Sequence, residues 1–265
     1  MKPEMLVILA IFVSFCLAEI VFTQFFSKSE QKKGDGIVEL FSTLALVGFT
    51  QPFVLASAGI IASKLIPQHA GALSGLNIFA AIGLLLIFDD MLQYWWHRAS
   101  HSWAWLYKLH RPHHNAQYMS IRIVYRNNFF YYLFMPALWG SGLMVYLGLG
   151  WVYAGYIVVK MLVIYGAHSD ITWDKPLLAR PKLAPLMWVV QRTISTPATH
   201  FAHHGRHKDD GVTHYKGNYG NLLFFWDVIF GTAKISQTYP PLYGVEDLPD
   251  TSIGEQLIWP IIRVK

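Results

Sequence analysis

The chain has 265 residues, of which 54% are hydrophobic, 15% aromatic and only 14% charged, well short of the roughly one-quarter charged residues of a soluble domain. A single cysteine, Cys16, excludes a disulfide framework and a cysteine-based zinc finger, so any metal must rest on histidine or carboxylate. The formal charge of +5 is spread among aromatics and along the flanks of apolar stretches, a pattern of loops facing anionic lipid, with no nucleic-acid partner implied.

The first apolar run, from about Met5 to Phe26, contains Glu19 yet reaches the ~20 residues that cross a hydrocarbon core. Leu6 to Ala18 also resembles the apolar core of a signal peptide, with Cys16-Leu17-Ala18 as a cleavage site. Because the hydrophobicity continues to Phe26, an uncleaved transmembrane helix is expected. A polar linker with Lys28, Lys32 and Lys33 follows, then an apolar run from about Val38 to Ser63 in which Pro52 predicts a kink. After a loop carrying His69, a third run from about Leu76 ends at the interfacial pair Trp95-Trp96. A polar, histidine-rich block occupies His97 to Asn128, and Phe129 to Tyr165 is apolar again. The Gly148-Leu149-Gly150 break predicts a transmembrane or re-entrant hairpin at about 129–165, in which Lys160 must snorkel or face the protein. From His168 onward the chain is basic and broken by prolines, as in a folded region at the membrane face.

These elements predict an all-α integral membrane protein of about four to five transmembrane helices with a cytoplasmic, histidine-rich helical cap. Residues 1–96 form its N-terminal membrane part and residues 97–265 the histidine-bearing region. With the lysine-rich linker inside, eleven of the twelve histidines fall on the cytoplasmic side and only His69 on the other.

Three clusters carry the chemistry: His97 with His101, then His110 with His113 and His114, then His200 with His203 and His204. Residues three and four apart share a helix face, so each cluster can aim two or three imidazoles at one point. A lone H-x-x-x-H is as readily a pair of solvated histidines, but two copies of H-x-x-H-H in one chain are not a chance pattern. Imidazole suits iron, zinc, copper and nickel alike.

Asp89 to His101 reads D-x-x-x-x-x-W-W-H-R-x-x-H, and Thr199 to Arg206 reads T-H-F-x-H-H-G-R. With Ala167-His168-Ser169, Asn218-Tyr219-Gly220 and Phe225-Trp226-Asp227-Val228-Ile229-Phe230-Gly231-Thr232, the chain resembles the fatty acid hydroxylase and sterol desaturase superfamily of integral membrane di-iron proteins. The short gap between His101 and His110 fits that family better than the acyl-CoA desaturases. The resemblance implies metal ligation by His97, His101, His110, His113, His114, His168, His200, His203 and His204. A tenth histidine is not expected, since Ile164 and Thr172 stand four residues from His168. His207 and His214 read as surface or mouth residues. Asp227, Asp89, Asp170 and Asp90 are candidates to accept hydrogen bonds from ligand imidazoles, and Tyr94, Trp95, Trp96 and Trp226 to line a substrate slot.

The resemblance further implies two iron ions, with zinc or nickel as substitutes in isolated protein, and O2 as co-substrate. It implies hydroxylation or desaturation of a lipid such as a fatty acyl chain, sterol or other isoprenoid. No Rossmann fingerprint, iron–sulfur cysteine set or fused haem domain is recognisable. Electrons are therefore expected from a separate NAD(P)H-linked protein of cytochrome b5, ferredoxin or reductase type, docking on Lys28 to Lys33 or on Lys108, Arg111, Arg122 and Arg126. The expected location is a bacterial inner membrane or the endoplasmic reticulum. A metal transporter and a bis-histidine membrane cytochrome are the rival readings. The first would place ligands near the bilayer midplane, and the second would place single histidines on facing helices.

Overall fold

The computed structural model describes residues 3–28, 30–249 and 251–263. Among them every regular element is a helix, apart from one isolated bridge between Gly205 and Tyr243. Four helical segments are long and apolar enough to cross a membrane: α1 (Pro3–Phe22), α2 (Asp35–Leu65), α3 (Ile78–Ser102) and the stretch Phe129–His168. Between α3 and that stretch lies α4 (Ala104–His114). The expected kink in α2 is a π turn, Leu46–Thr50, placed just before Pro52, whose missing N–H interrupts the helical ladder.

The stretch Phe129–His168 is a hairpin, with α5 (Pro136–Met144) and α6 (Gly150–His168) as its arms. It turns at Gly148, whose φ of 109° no ordinary side chain adopts comfortably. The bend is pinned to the α2–α3 connection by Gly71 N–H to Tyr146 O at 3.1 Å and Leu73 N–H to Leu147 O at 2.7 Å. Its two ends return to the histidines: Met135 packs with Leu106 and Leu109 of α4, and His168 closes α6.

Buried charges lock the opposite, polar end of the bundle together. Glu19, fully buried in α1, accepts from the Ser120 and Ser169 hydroxyls at 2.6 and 2.8 Å and from the Ile121 and Asp170 amides at 2.8 and 3.0 Å. Lys28 pairs with Asp170 at 2.5 Å. Thus the end of α1, the block after α4 and the segment after α6 meet on one side, the side of the histidines. His69 stands exposed in the connection at the other end. Two of the proposed docking cations serve this packing instead. Arg126 is 1% exposed and bonds Asp35 at 2.7 Å, and Arg122 bonds Glu39 at 2.8 Å. Arg111 likewise reaches Glu255 at 3.2 Å, while Lys108 lies over the Trp259 ring. An ion withdrawn from water needs such a partner, so internal pairing outweighs any gain from display.

Candidate metal centre

Each histidine is placed by a local device. His97 and His101 lie one turn apart on the last turns of α3, and His113 and His114 occupy the last turn of α4 with His110 one turn before His114. His200, His203 and His204 sit on α7 (Pro197–His204). Thr196 caps this helix: its hydroxyl takes the Thr199 amide while Thr199 reaches back to the Thr196 amide. Asp174 accepts from the Ala198 amide at 2.8 Å, a carboxylate at the positive end of the helix.

The nine histidines assemble into two groups: His97, His101, His110, His114 and His203 in one, and His113, His168, His200 and His204 in the other. Within each, one ring nitrogen per residue lies within 4.8 Å of all the others. The groups share a wall, with the His114 and His204 rings stacked 4.5 Å apart. Each three-histidine cluster is divided between the groups. His110 and His114 go to one and His113 to the other, and His203 parts from His200 and His204 in the same way. Positions i and i+4 diverge by only about 40° around a helix, whereas adjacent positions diverge by about 100°, so one helix end feeds two centres.

The hydrogen bonds fix which nitrogen faces inward. The Nδ1–H groups of His97, His113, His168 and His203 donate to the carbonyl oxygens of Tyr219, Ile123, Ile164 and Gly217 at 2.8, 3.0, 2.8 and 2.7 Å. His110 Nδ1–H donates to Asn127 Oδ1 at 2.8 Å. A carbonyl only accepts, so each Nδ1 carries the proton and each Nε2 keeps its lone pair. The Nε2 atoms of His113 and His168 then face each other with lone pairs 3.3 Å apart, and buried Nε2 atoms of His97, His101 and His203 have no partner. Lone pairs converging in a dry pocket repel unless a cation lies between them, so the donor set fits divalent metals that favour imidazole. Burial pushes His110, His113, His114, His200, His203 and His204 well below the ordinary value of 6.5, keeping them neutral and available as ligands.

The orienting partners are backbone carbonyls and one amide, and the expected carboxylates act elsewhere. Asp227 accepts from the Tyr219 and Gly220 amides at 2.8 and 2.6 Å and from the Thr232 hydroxyl at 2.6 Å. It therefore holds the turn whose Tyr219 carbonyl steers His97. Asp90 binds the Leu222 and Leu223 amides and the Trp226 indole. Asp89 holds Lys160, and Asp170 holds Lys28. Asn127, unremarked in the sequence reading, is the direct partner of His110. The available signal was the Asn127-Asn128 pair at a polar–apolar boundary. Asn128 caps the following helix through the Phe130 amide at 3.0 Å, leaving its neighbour free for another task.

Two cavities reach the histidines. One of about 290 Å³ touches His97, His110, His113 and His168 and extends into the bundle between α1, α2 and α6. Leu9 and Val47 line it while being 47% and 41% exposed on the outer, apolar face, so it reaches the lipid side. The second, about 400 Å³, touches His101 and His114 and is lined by Arg206, Lys216, Glu246 and Asp247. The aromatics expected to form the slot lie outside both. Tyr94 is buried with its hydroxyl 2.9 Å from that of Thr232, Trp226 bonds Asp90 at 2.8 Å, and Trp95 is 42% exposed. Trp96 packs with Tyr131 at 5.7 Å between ring centroids. His207 is an exposed partner of Glu246 at 2.9 Å, and His214 faces the Thr232 carbonyl at 3.2 Å.

The fatty acid hydroxylase family model matches residues 82–232, and the chain belongs to that family. It is 27% identical over 161 residues to an alkylglycerol monooxygenase of Caenorhabditis elegans, covering 60% of this chain and 28% of the relative. The corresponding protein of Danio rerio is 28% identical over 172 residues, with 65% and 33% covered, and that of Homo sapiens 25% over 156 residues, with 59% and 31% covered. The match thus spans about a third or less of these relatives. No solved structure matches.

Proposed function

We propose that the protein is a membrane-embedded monooxygenase that hydroxylates or desaturates a C–H bond of a lipid, using O2 and external electrons, with its nine histidines holding two iron ions. The observation that carries this reading is the junction of two buried, neutral imidazole groups with an apolar cavity that reaches the lipid-facing side. Family membership and the alkylglycerol monooxygenase relatives support it. When bound, the iron pair would supply the oxygen activation that no side chain provides. The chain's own residues do the rest. The carbonyls of Tyr219, Gly217, Ile123 and Ile164 and the Asn127 amide hold five rings in the tautomer that presents Nε2. The apolar wall from α1, α2 and α6 admits a hydrocarbon chain and excludes water from the reacting carbon.

The lysines of the α1–α2 linker support a cytoplasmic location for the histidine side, and the polar cavity beside His101 and His114 gives that side its own approach to the centre. Electrons would arrive there from a separate NAD(P)H-linked donor. The rival transporter and cytochrome readings gain nothing from this geometry, since the histidines converge at one end of the bundle and not as facing singles or at mid-depth. Elemental analysis of protein from iron-supplemented cells tests the proposal. About two metals per chain are expected, as two imidazole groups require, falling in His204→Ala, with lipid-dependent O2 consumption lost in His113→Ala and His204→Ala. Wild-type protein with no metal, or turnover retained in both variants, would sink it.

A further inference from the structure

Tyr94, Trp95 and Tyr219 line neither cavity, yet they stand in an ordered series. The buried Tyr219 ring touches three histidines of one group, its centroid 5.5 Å from His97, 5.5 Å from His101 and 5.6 Å from His203. Tyr94, fully buried on α3, meets Tyr219 edge-on at 6.1 Å, and Trp95 meets Tyr94 edge-on at 5.5 Å. Trp95 is 42% exposed, so adjoining rings lead without a gap from the histidines to the surface. Electron transfer slows exponentially with distance, and phenol and indole are among the most readily oxidised side chains, so rings in contact form a path of short steps.

A phenol gives up an electron easily only where its proton has an acceptor, and Tyr94 reaches one through a single intermediary. Arg98 Nη1–H donates to the Tyr94 oxygen at 3.3 Å, and Thr232 spends its own hydrogen on Asp227 Oδ1 at 2.6 Å. The 2.9 Å contact between the Tyr94 and Thr232 hydroxyls must therefore have Tyr94 as its donor. A proton moved along this line leaves a neutral Tyr94 ring and a neutral carboxylic acid, with no new charge in the buried interior. Burial already pushes the Asp227 carboxyl above the ordinary carboxylate value, which favours the transfer. The other tyrosine stacked on a ligand ring is less well served. Tyr131 lies 4.9 Å from His110 and leads to Trp96 at 5.7 Å, but the Ser100 hydroxyl beside it is committed to the Trp96 carbonyl at 2.8 Å, and a carbonyl takes up no proton.

We infer that Tyr219, Tyr94 and Trp95 form a relay that drains oxidising equivalents from the histidine centre to the surface when no lipid is present to receive them, with Thr232 and Asp227 holding the Tyr94 proton. The inference rests on the reading of the histidines as a redox-active metal centre. Tyr94 loses one electron, which crosses the Tyr219 ring to the centre, and its O–H bond breaks as its proton passes to Thr232 and the Thr232 proton to Asp227. Trp95 then returns an electron to Tyr94, both protons move back, and the O–H bond is restored. The Trp95 indole, having released its N–H proton to water, is reduced again by a soluble thiol that supplies an electron and a proton. Over two such cycles, with hydrogen peroxide as the oxidant, two thiols become a disulfide and the peroxide becomes two waters. Arg98 lies over the Trp95 ring at 5.1 Å and so sets a positive charge where an anionic thiol would approach.

Hydrogen peroxide added to iron-loaded and to metal-free full-length protein, without lipid or thiol, tests the relay. Oxygen addition is read by peptide mass spectrometry and radicals by electron paramagnetic resonance of freeze-quenched samples. In the iron-loaded wild type, a tyrosyl signal and oxygen addition at Trp95 are expected, ahead of Trp188, which at 59% exposure a diffusing oxidant would attack first. Tyr94→Phe keeps the ring without the phenol and should lose both the signal and the Trp95 product, with oxidation shifting to the ligand histidines. Thr232→Val should weaken the signal by removing the proton's path. Trp95→Phe, a change at the surface that leaves the centre folded, should keep the tyrosyl signal and prolong it. Trp95 oxidised equally in metal-free protein or in Tyr94→Phe, or Trp96 oxidised in its place, would overturn the relay. Iron-dependent oxidation confined to the histidines would overturn the relay alone, whereas no iron-dependent oxidation at any residue would remove the redox reading of the centre along with it.

Discussion

At the residue scale the centre depends on single backbone and amide acceptors, and these make sharp predictions. Replacing Asn127 by Leu leaves the His110 Nδ1–H without its acceptor and frees the ring to turn. Metal affinity should fall roughly 10- to 100-fold, read by competition with a chromogenic chelator; unchanged affinity would show that packing alone orients His110. Gly217 is constrained from the other direction. A Cβ there would meet His214 Nε2 at 2.1 Å and the Thr232 carbonyl at 2.4 Å, and Gly217 is the residue whose carbonyl holds His203. Gly217→Ala should therefore lower both thermal stability and metal content, and His214→Ala in the same chain should restore neither fully, because the Thr232 backbone still blocks the methyl. The adjoining Asn218 accepts a φ of 56°, which asparagine tolerates better than branched residues. Its amide ties the turn to Thr199 and Lys234 carbonyls, each at 2.8 Å.

At the scale of elements, α7 matters most, because eight residues carry three of the nine histidines. So short a helix has little intrinsic stability, and its N-terminal cap bears a correspondingly large share. Thr196→Ala removes one half of the reciprocal cap and should cost about 1 kcal/mol, seen as a lower melting temperature of the metal-free protein, with the deficit shrinking when metal is added because binding stabilises the folded state. An equal deficit with and without metal would uncouple the helix from the centre. Much of this level was legible beforehand. The apolar runs and the Gly148 break predict the spans and the hairpin, since burial in lipid demands local, self-satisfied backbone that sequence patterns report directly. An interfacial aromatic and a slot-lining one look alike in sequence, so the tryptophans left both roles open; only the neighbours of Trp95 and Trp226 separate the two.

For the whole molecule, the spans place the α1–α2 linker and the histidines on one side and His69 on the other. In a Cys16→Ser background, Gln68→Cys and Lys208→Cys should react with an impermeant thiol reagent from opposite faces of sealed membranes. Labelling from the same face would overturn the sidedness. The centre also couples folding to pH. In the metal-free protein burial holds the six histidines of α4 and α7 below 6.5, so below that pH the unfolded chain takes up protons that the folded one refuses. Stability must then fall as pH drops from 6.5, and chelator-treated protein should melt progressively lower between about pH 6.5 and 5, whereas a flat profile would mean that the cluster is wetter than its burial implies.

The histidine spacings, the charge-poor composition and the lipid-length apolar runs determined by themselves that this is an all-helical chain with a multi-imidazole site on one face. These are local patterns, set by residues within a turn or a span of one another. Only the tertiary structure decided that each H-x-x-H-H divides between two groups, and that His168, 55 residues from His113, completes the second. It likewise decided that Arg122 and Arg126 are internal ion pairs, and that carbonyls and Asn127 rather than carboxylates steer the rings. The reason is common to all of these: a residue's chemistry is written in the chain, but its partner comes from a distant segment that folding brings into reach, and a spacing rule extends only as far as one helix.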